Sequence, residues 1–523
     1  MNQRVPPSGQ EAPWWQGRAF LALLVGLSIV PLLYPPIPPL VDLPGHMGRY
    51  QVQLMGDASP SLSAFYSFDW QLIGNLGVDL LVELIAPVFG LELAVKLIVI
   101  VIPALTVLGM IWIAREVHGR VPPTVLFALP LAYGHPFHFG FVNFALSMAL
   151  ALNAFALWLR LARLGRFRLR AVLFVPLSML LWVTHTYGWG TLGVMAFSAE
   201  VVRIHDSGRA WHRSLVPAGI QCLPLAPPVL LMALWRGGQH VGGQTGDWFN
   251  WDAKALWIEM TLRDRWRWFD IATLGVMLLV IAAAPFSRRL GFSRNLAASA
   301  LVLLAVFLLL PRVVFGSAYA DMRLTPFMIA VMLVAIRPGD AAGRRFLGGL
   351  AAAGLAFFLV RTAATTTSLA LASDRYDRAL DALDHVPHGA RLVTFVGHGC
   401  GLPWFSPRTE HLGAMAIVRR EAFSNDQWAM AGAQLLGVRD IGAPGFDRDP
   451  SELVTARDCP GEEWHTIDHA LTRFPRTAFD YVWLIGPPHI RPEWVRGLLL
   501  IWTNGRDRLY RAAHSLPLQD QRS

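Results

Sequence analysis

Apolar residues run along this chain in long blocks separated by short polar connectors, and the blocks set its architecture. A helix needs about 20 apolar residues to cross a bilayer, so each long block is read as a span. The pattern predicts spans over Ala19–Tyr34, Leu91–Ala114, Thr124–Tyr133, Phe141–Leu159, Ala171–Thr186 and Trp189–Val202. It continues with Leu215–Trp235, Phe269–Phe286, Leu296–Leu310, Pro326–Ile336 and Phe346–Val360. That makes about eleven spans, several of them short, in a mostly α transmembrane bundle over residues 1–366. The first block is expected to be a retained span, since no small-residue cleavage site closely follows it.

Two stretches break the pattern. After Pro35, Pro36, Pro38 and Pro39 the chain enters a long first loop, 35–90. Within it Leu62–Trp70 mixes aromatic and polar residues as an interfacial segment does, and Val78–Phe89 is apolar but too short to span. From Ser373 onward charged residues become frequent: Asp374–His385 has helical spacing, and Arg391–Val396 and Asp480–Ile485 read as strands. Residues 373–523 are therefore expected to form a small α/β domain outside the membrane. Trp251–Met260, in the connector between two late spans, reads as an amphipathic helix in the interface.

Composition agrees with the blocks. Of 523 residues 54% are hydrophobic and 15% charged, against roughly 25% charged in soluble domains. The net charge of +9 comes almost wholly from arginine, the only lysines being Lys96 and Lys254. Alternate connectors hold Arg115 and Arg120; Arg160, Arg163, Arg166, Arg168 and Arg170; Arg203, Arg209 and Arg213; Arg288, Arg289 and Arg294; and Arg337, Arg344 and Arg345. The short connectors between them, around 134–140 and 187–188, have neither Arg nor Lys. The positive-inside rule then gives a cytoplasmic N-terminus and an exoplasmic C-terminus, and the basic charge is topology, not a nucleic-acid footprint. Cys222 lies within a block; Cys400 and Cys459 fall in the outer domain, where oxidising conditions would permit pairing.

With sides assigned, the chemistry collects on one face. Val41-Asp42-Leu43-Pro44-Gly45-His46-Met47-Gly48-Arg49 sets an acid, an imidazole and a guanidinium just where the chain leaves the first span. Pro44 marks a helix start with Asp42 at its N-cap, and capping alone would explain the acid. His135 and His138, His185, Arg312, Asp321 and Arg323 fall on the same side. The two histidines of His-Pro-Phe-His are short of the three or four ligands of a tight metal site. Arg323 suits phosphate through its planar donor fork, or pairs with Asp321. No Walker loop, dinucleotide fingerprint or nucleophile elbow occurs, so a substrate activated beforehand fits better than a nucleotide cofactor.

A first span followed by an exoplasmic acid in a long loop, many further spans, an Arg at the outer end of a late span and a C-terminal outer domain resemble the GT-C class of membrane glycosyltransferases. That class includes protein O-mannosyltransferases, aminoarabinose transferases of lipid A and oligosaccharyltransferases. The residues that carry the likeness are Asp42 in Val-Asp-Leu-Pro-Gly-His and Arg323 in Asp-Met-Arg-Leu-Thr-Pro. The resemblance implies transfer of a sugar from a polyprenyl-phosphate lipid to a glycan, lipid or protein acceptor at the exoplasmic face of a bacterial inner membrane. It implies Asp42, aided by His46, as base or as ligand of a divalent metal cation, and Arg323, Arg312 and Arg49 for the donor's phosphate. Many members carry two adjacent acids in that loop; here Asp42 stands alone, and Asp57 and Asp69 lie far along. Two other classes remain open at this point: a lipid or glycan transporter or flippase, marked by ionisable sites at mid-depth, and a non-catalytic envelope-assembly protein.

Overall fold

The computed structural model describes residues 13–236, 244–314, 316–401, 403–429 and 434–513. The chain is mostly helical, with a sheet gathered towards its C-terminal end. Helices over Leu91–His118, Val142–Arg163, Phe167–Thr184, Arg267–Phe286 and within Arg344–His385 are long and apolar enough to cross a membrane. Trp211–Leu225 and Pro227–Ala233 make a sixth if the pair, bent by 67°, counts as one span. Arg18–Leu27, Arg294–Leu309 and Met322–Ala335 are shorter apolar helices. Two blocks are broken for local reasons. The first gives Arg18–Leu27 and then a separate turn, Val30–Leu33, opened by Pro31. Thr124–Tyr133 forms one α turn and a 3-10 turn around Pro130, every residue buried between neighbouring helices. Leu84, Val172, Val216 and Leu230 are each 70% exposed or more, a surface suited to lipid and costly in water.

Hydrogen bonds gather the connectors at two ends. At one, Gln16 bonds Val121, the His118 ring lies 2.8 Å from the Val334 carbonyl, Arg163 pairs with Glu116 and Arg294 with Asp206. Strand Leu290–Phe292 pairs there with Ile336–Pro338. These are the arginine-bearing connectors. At the other end Asp42 N–H donates to the Phe139 carbonyl, Tyr187 hydroxyl to Ala320 and Ser406 N–H to Asp264.

The C-terminal sheet runs in the order Leu498–Asn504, Asp507–Ala512, Tyr481–Ile485, Arg391–His398, Leu453–Thr455, His465–Thr466, with Phe423–Ser424 also on Arg391–His398. The first two pairings are antiparallel and the rest parallel. Its central strands are near-continuous apolar runs because both faces are covered. Leu392, Val396, Tyr481, Trp483 and Ile485 join the core that extends through the bundle, while Val393, Phe395, Val482 and Leu484 join a second core under helix Ile467–Arg473.

No linker separates bundle from sheet: one helix runs unbroken from Arg344 to Leu380, through the boundary expected at 366–373. Within the first loop Tyr66–Phe68 is a strand paired with Leu436–Val438, and Ser59 hydroxyl donates to Glu421. Loop and C-terminal portion therefore lie on the same side. Trp251–Glu259 is a helix as expected, but its Lys254 is buried against Asp321 at 3.0 Å and the carbonyls of Phe307 and Leu310. Cys400 and Cys459 are disulfide-bonded, and Cys222 is free.

Candidate functional site

Asp42 is the N-cap residue of helix Leu43–Met55, yet its side chain makes no capping hydrogen bond. The capping explanation for this acid therefore fails. Gly140, at φ +98, lies against it: a Cβ there would come within 2.7 Å of the Asp42 backbone nitrogen, so only glycine admits the Asp42 N–H to Phe139 bond. The Asp42 carboxylate, held within the protein at 8% residue exposure, faces His411 Nε2 at 3.8 Å. Burial pushes its pKa up to about 8; His411 opposes this, Glu410 and Asp449 add to it, and Arg323 draws it back down.

His411 comes from the loop after strand Arg391–His398. Its Nδ1 lies 2.7 Å from Asp426, 3.8 Å from Asp449 and 3.9 Å from Glu452. Burial works against the imidazolium, but Asp426 and Asp449 outweigh it and hold the ring's pKa well above normal. The acids are positioned by a gap in the sheet. Phe423–Ser424 pairs only with the start of Arg391–His398 and Leu453–Thr455 only with its end. Between them Asn425 fills the ladder, accepting from Thr394 N–H and donating to the Thr394 carbonyl and Ser451. Asp426 thus follows one strand and Glu452 precedes the other, so the gap brings the two acids together. Trp428 covers both imidazoles, 4.5 Å from His411 and 5.3 Å from His46, and a Cβ on Gly45 would strike its ring at 2.6 Å.

Arg323 is buried over the Phe141 ring, 4.3 Å from its centroid, with Tyr187 and Phe144 completing an aromatic cradle. Its Nη2 donates to Ser317 and the Ala318 carbonyl, and its Nε has no partner among the described residues. Asp321 is not its counter-ion, being held by Lys254 and by Met322 N–H. Arg323 therefore keeps donor capacity within electrostatic reach of Asp42.

The other expected residues divide. His46 lies one turn beyond Asp42, with its Nδ1 unpartnered among the described residues; burial, Arg49 and His411 keep its ring neutral. The imidazole facing the Asp42 carboxylate is that of His411. Arg49 is committed to a buried ion pair with Asp79, which also accepts from Asn143. Arg312 pairs with Asp247 at the surface, 2.5 Å away. The Arg49 guanidinium is thus taken up inside the protein, while Arg312 gives its Nε to Asp247 at the surface. His185 accepts from Tyr187 N–H at the start of the next helix, next to Arg323. His135 faces Arg263, and His138 lies among Arg408 and Asp264; neither meets Asp42 and His46 as a ligand set.

That second network is a strut. Asp264 accepts from Arg408 and Ser368, and Arg263 donates to the carbonyls of Pro403 and Trp404, tying the late connector to the long helix and the loop that carries His411. Burial would raise Asp264, but His138, Arg408 and Arg361 reverse it and leave the carboxyl at about 2. No family model matches the chain. No curated protein matches it either.

The sequence reading missed His411, Glu410, Asp426, Asp449 and Glu452. Their signal was weak: Ser-Asn-Asp and Asp-Arg-Asp-Pro-Ser-Glu read as turns unless the short strands beside them are known.

Proposed function

We propose that the chain is a membrane glycosyltransferase taking its sugar from a polyprenyl-phosphate lipid, with Asp42 as general base. The observation that carries this is the Asp42 carboxylate: it caps nothing, is faced by His411, and lies within the electrostatic reach of an arginine with spare donors. Asp42 takes the proton of an acceptor hydroxyl as its oxygen bonds to the anomeric carbon. The bond from that carbon to the phosphate oxygen breaks, and the phosphate leaves with the electron pair. Arg323 meets the charge that grows there. The aromatic cradle of Phe141, Phe144 and Tyr187 offers the apolar wall that a sugar ring or prenyl chain needs.

The bent pair and the three shorter apolar helices bring the long spans to nine, and helix Thr186–Asp206 with the broken Thr124–Tyr133 block brings the crossings to about eleven in this reading, N-terminus cytoplasmic and C-terminus exoplasmic. Clustering of the arginine connectors at the end opposite Asp42 supports that orientation. The Cys400–Cys459 bridge supports an oxidising compartment, the outer side of a bacterial inner membrane. The acceptor is a glycan, lipid or protein of the envelope. The test is the purified chain in liposomes with a radiolabelled polyprenyl-phosphate sugar and envelope extract. Label should leave the lipid for the acceptor fraction; a lipid left intact with every acceptor fraction would overturn the reading.

A further inference from the structure

His411, Asp426, Asp449 and Glu452 each offer one donor atom, and the four atoms lie within 4.8 Å of one another. Asp42 and Glu410 bring two more carboxylates into the same field. Glu452 gives the independent sign that something belongs there. It is fully buried, and neither carboxylate oxygen receives an N–H or alcohol hydroxyl among the described residues; its neighbour is the Asp449 carboxyl, a second acid, and Oε1 points to within 3.9 Å of His411 Nδ1. A buried carboxylate without donor or cation is costly. The backbone leaves it little freedom, because the Glu452 carbonyl accepts from Val396 N–H just before strand Leu453–Thr455.

We propose that His411, Asp426, Asp449 and Glu452 bind one divalent cation. The 3.8 and 3.9 Å from Nδ1 to Asp449 and Glu452 are separations that ligands about 2.1 Å from a shared ion span. Three oxygens and one imidazole nitrogen suit Mn²⁺ or a similar ion, with open positions for water or a substrate oxygen. An open depression of about 520 Å³, lined by Asp447, Asp449, Glu463 and His465 among others, gives the ion its way in. An ion on Nδ1 leaves the ring proton on Nε2, the nitrogen that faces Asp42, so the metal fixes the tautomer that orients the base. Binding of the ion needs nothing from the glycosyl-transfer reading; only its use, beside Arg323 and the donor's phosphate, rests on that reading.

The test is titration of the chelator-treated, full-length chain in detergent with Mn²⁺ alone, following free Mn²⁺ by electron paramagnetic resonance and unfolding by thermal melt. One Mn²⁺ per chain is expected, with a Tm that rises on binding. Glu452→Gln and Asp449→Asn should each weaken binding tenfold or more, and Glu452→Gln, which relieves acid crowding, should melt no lower than the metal-free parent. Absence of stoichiometric Mn²⁺ uptake, or uptake by both variants as tight as the parent's, overturns the site. The titration contains no sugar lipid, so its failure removes the ion and leaves the transfer reading, while an unconsumed lipid with Mn²⁺ binding intact does the reverse.

Discussion

Asp42→Asn should lower sugar transfer by about 10²- to 10⁴-fold, the range for removing a well-placed general base, while leaving folding intact. The amide keeps the shape of the side chain and cannot take a proton. It should not damage the fold, because the carboxylate supplies no capping bond that would be lost. Burial also opposes its charge, so a neutral group in its place costs little. The measurement is turnover of labelled lipid alongside a thermal melt. Near-parental turnover by a chain that melts normally would remove Asp42 from the chemistry; this is also the result expected of a non-catalytic assembly protein.

Arg323→Met is expected to cost about 10²- to 10³-fold in kcat, the scale for losing a donor aimed at charge that develops in the transition state. Methionine fills the cradle of Phe141, Phe144 and Tyr187 without a charge, so packing is kept and the effect isolates the guanidinium. In the proposed transfer the donor's phosphate is already charged on binding, but more charge gathers on it as the sugar leaves. The loss should therefore fall on kcat more than on KM. Arg323→Lys should not restore the rate, because a point charge neither stacks on Phe141 nor presents a planar donor fork. A loss confined to KM, or full rescue by lysine, would reduce Arg323 to a binding contact.

The features legible in the sequence were those with a local cause. Apolar blocks marked most of the helices, and the alternation of arginine-rich and arginine-free connectors sorted them into two sets that hydrogen bonds bring to separate ends. Asp42 stood out because Pro44 fixed the helix start beside it, and Arg323 because it opens an apolar run. The apparent competitors could not be discounted locally. Arg49 finds Asp79 thirty residues on, Arg312 finds Asp247 and Lys254 finds Asp321, pairings set by the packing of distant helices. The acids of the C-terminal portion were hidden for the same reason. Asp426 and Glu452 meet His411 only because a gap between two short parallel strands is bridged by Asn425, and no periodicity records that. His46 drew attention by its spacing from Asp42, whereas the imidazole that faces the acid comes from far along the chain.

In the proposed enzyme one reaction centre is assembled from the first loop and the C-terminal portion. A double-mutant cycle on turnover with Asp42→Asn and His411→Gln measures it directly. If the two side chains act as a unit, the double variant will be about as slow as the slower single variant, since either change alone disables the same base. Losses that multiply, or a His411→Gln chain with the parental rate, would contradict a shared centre.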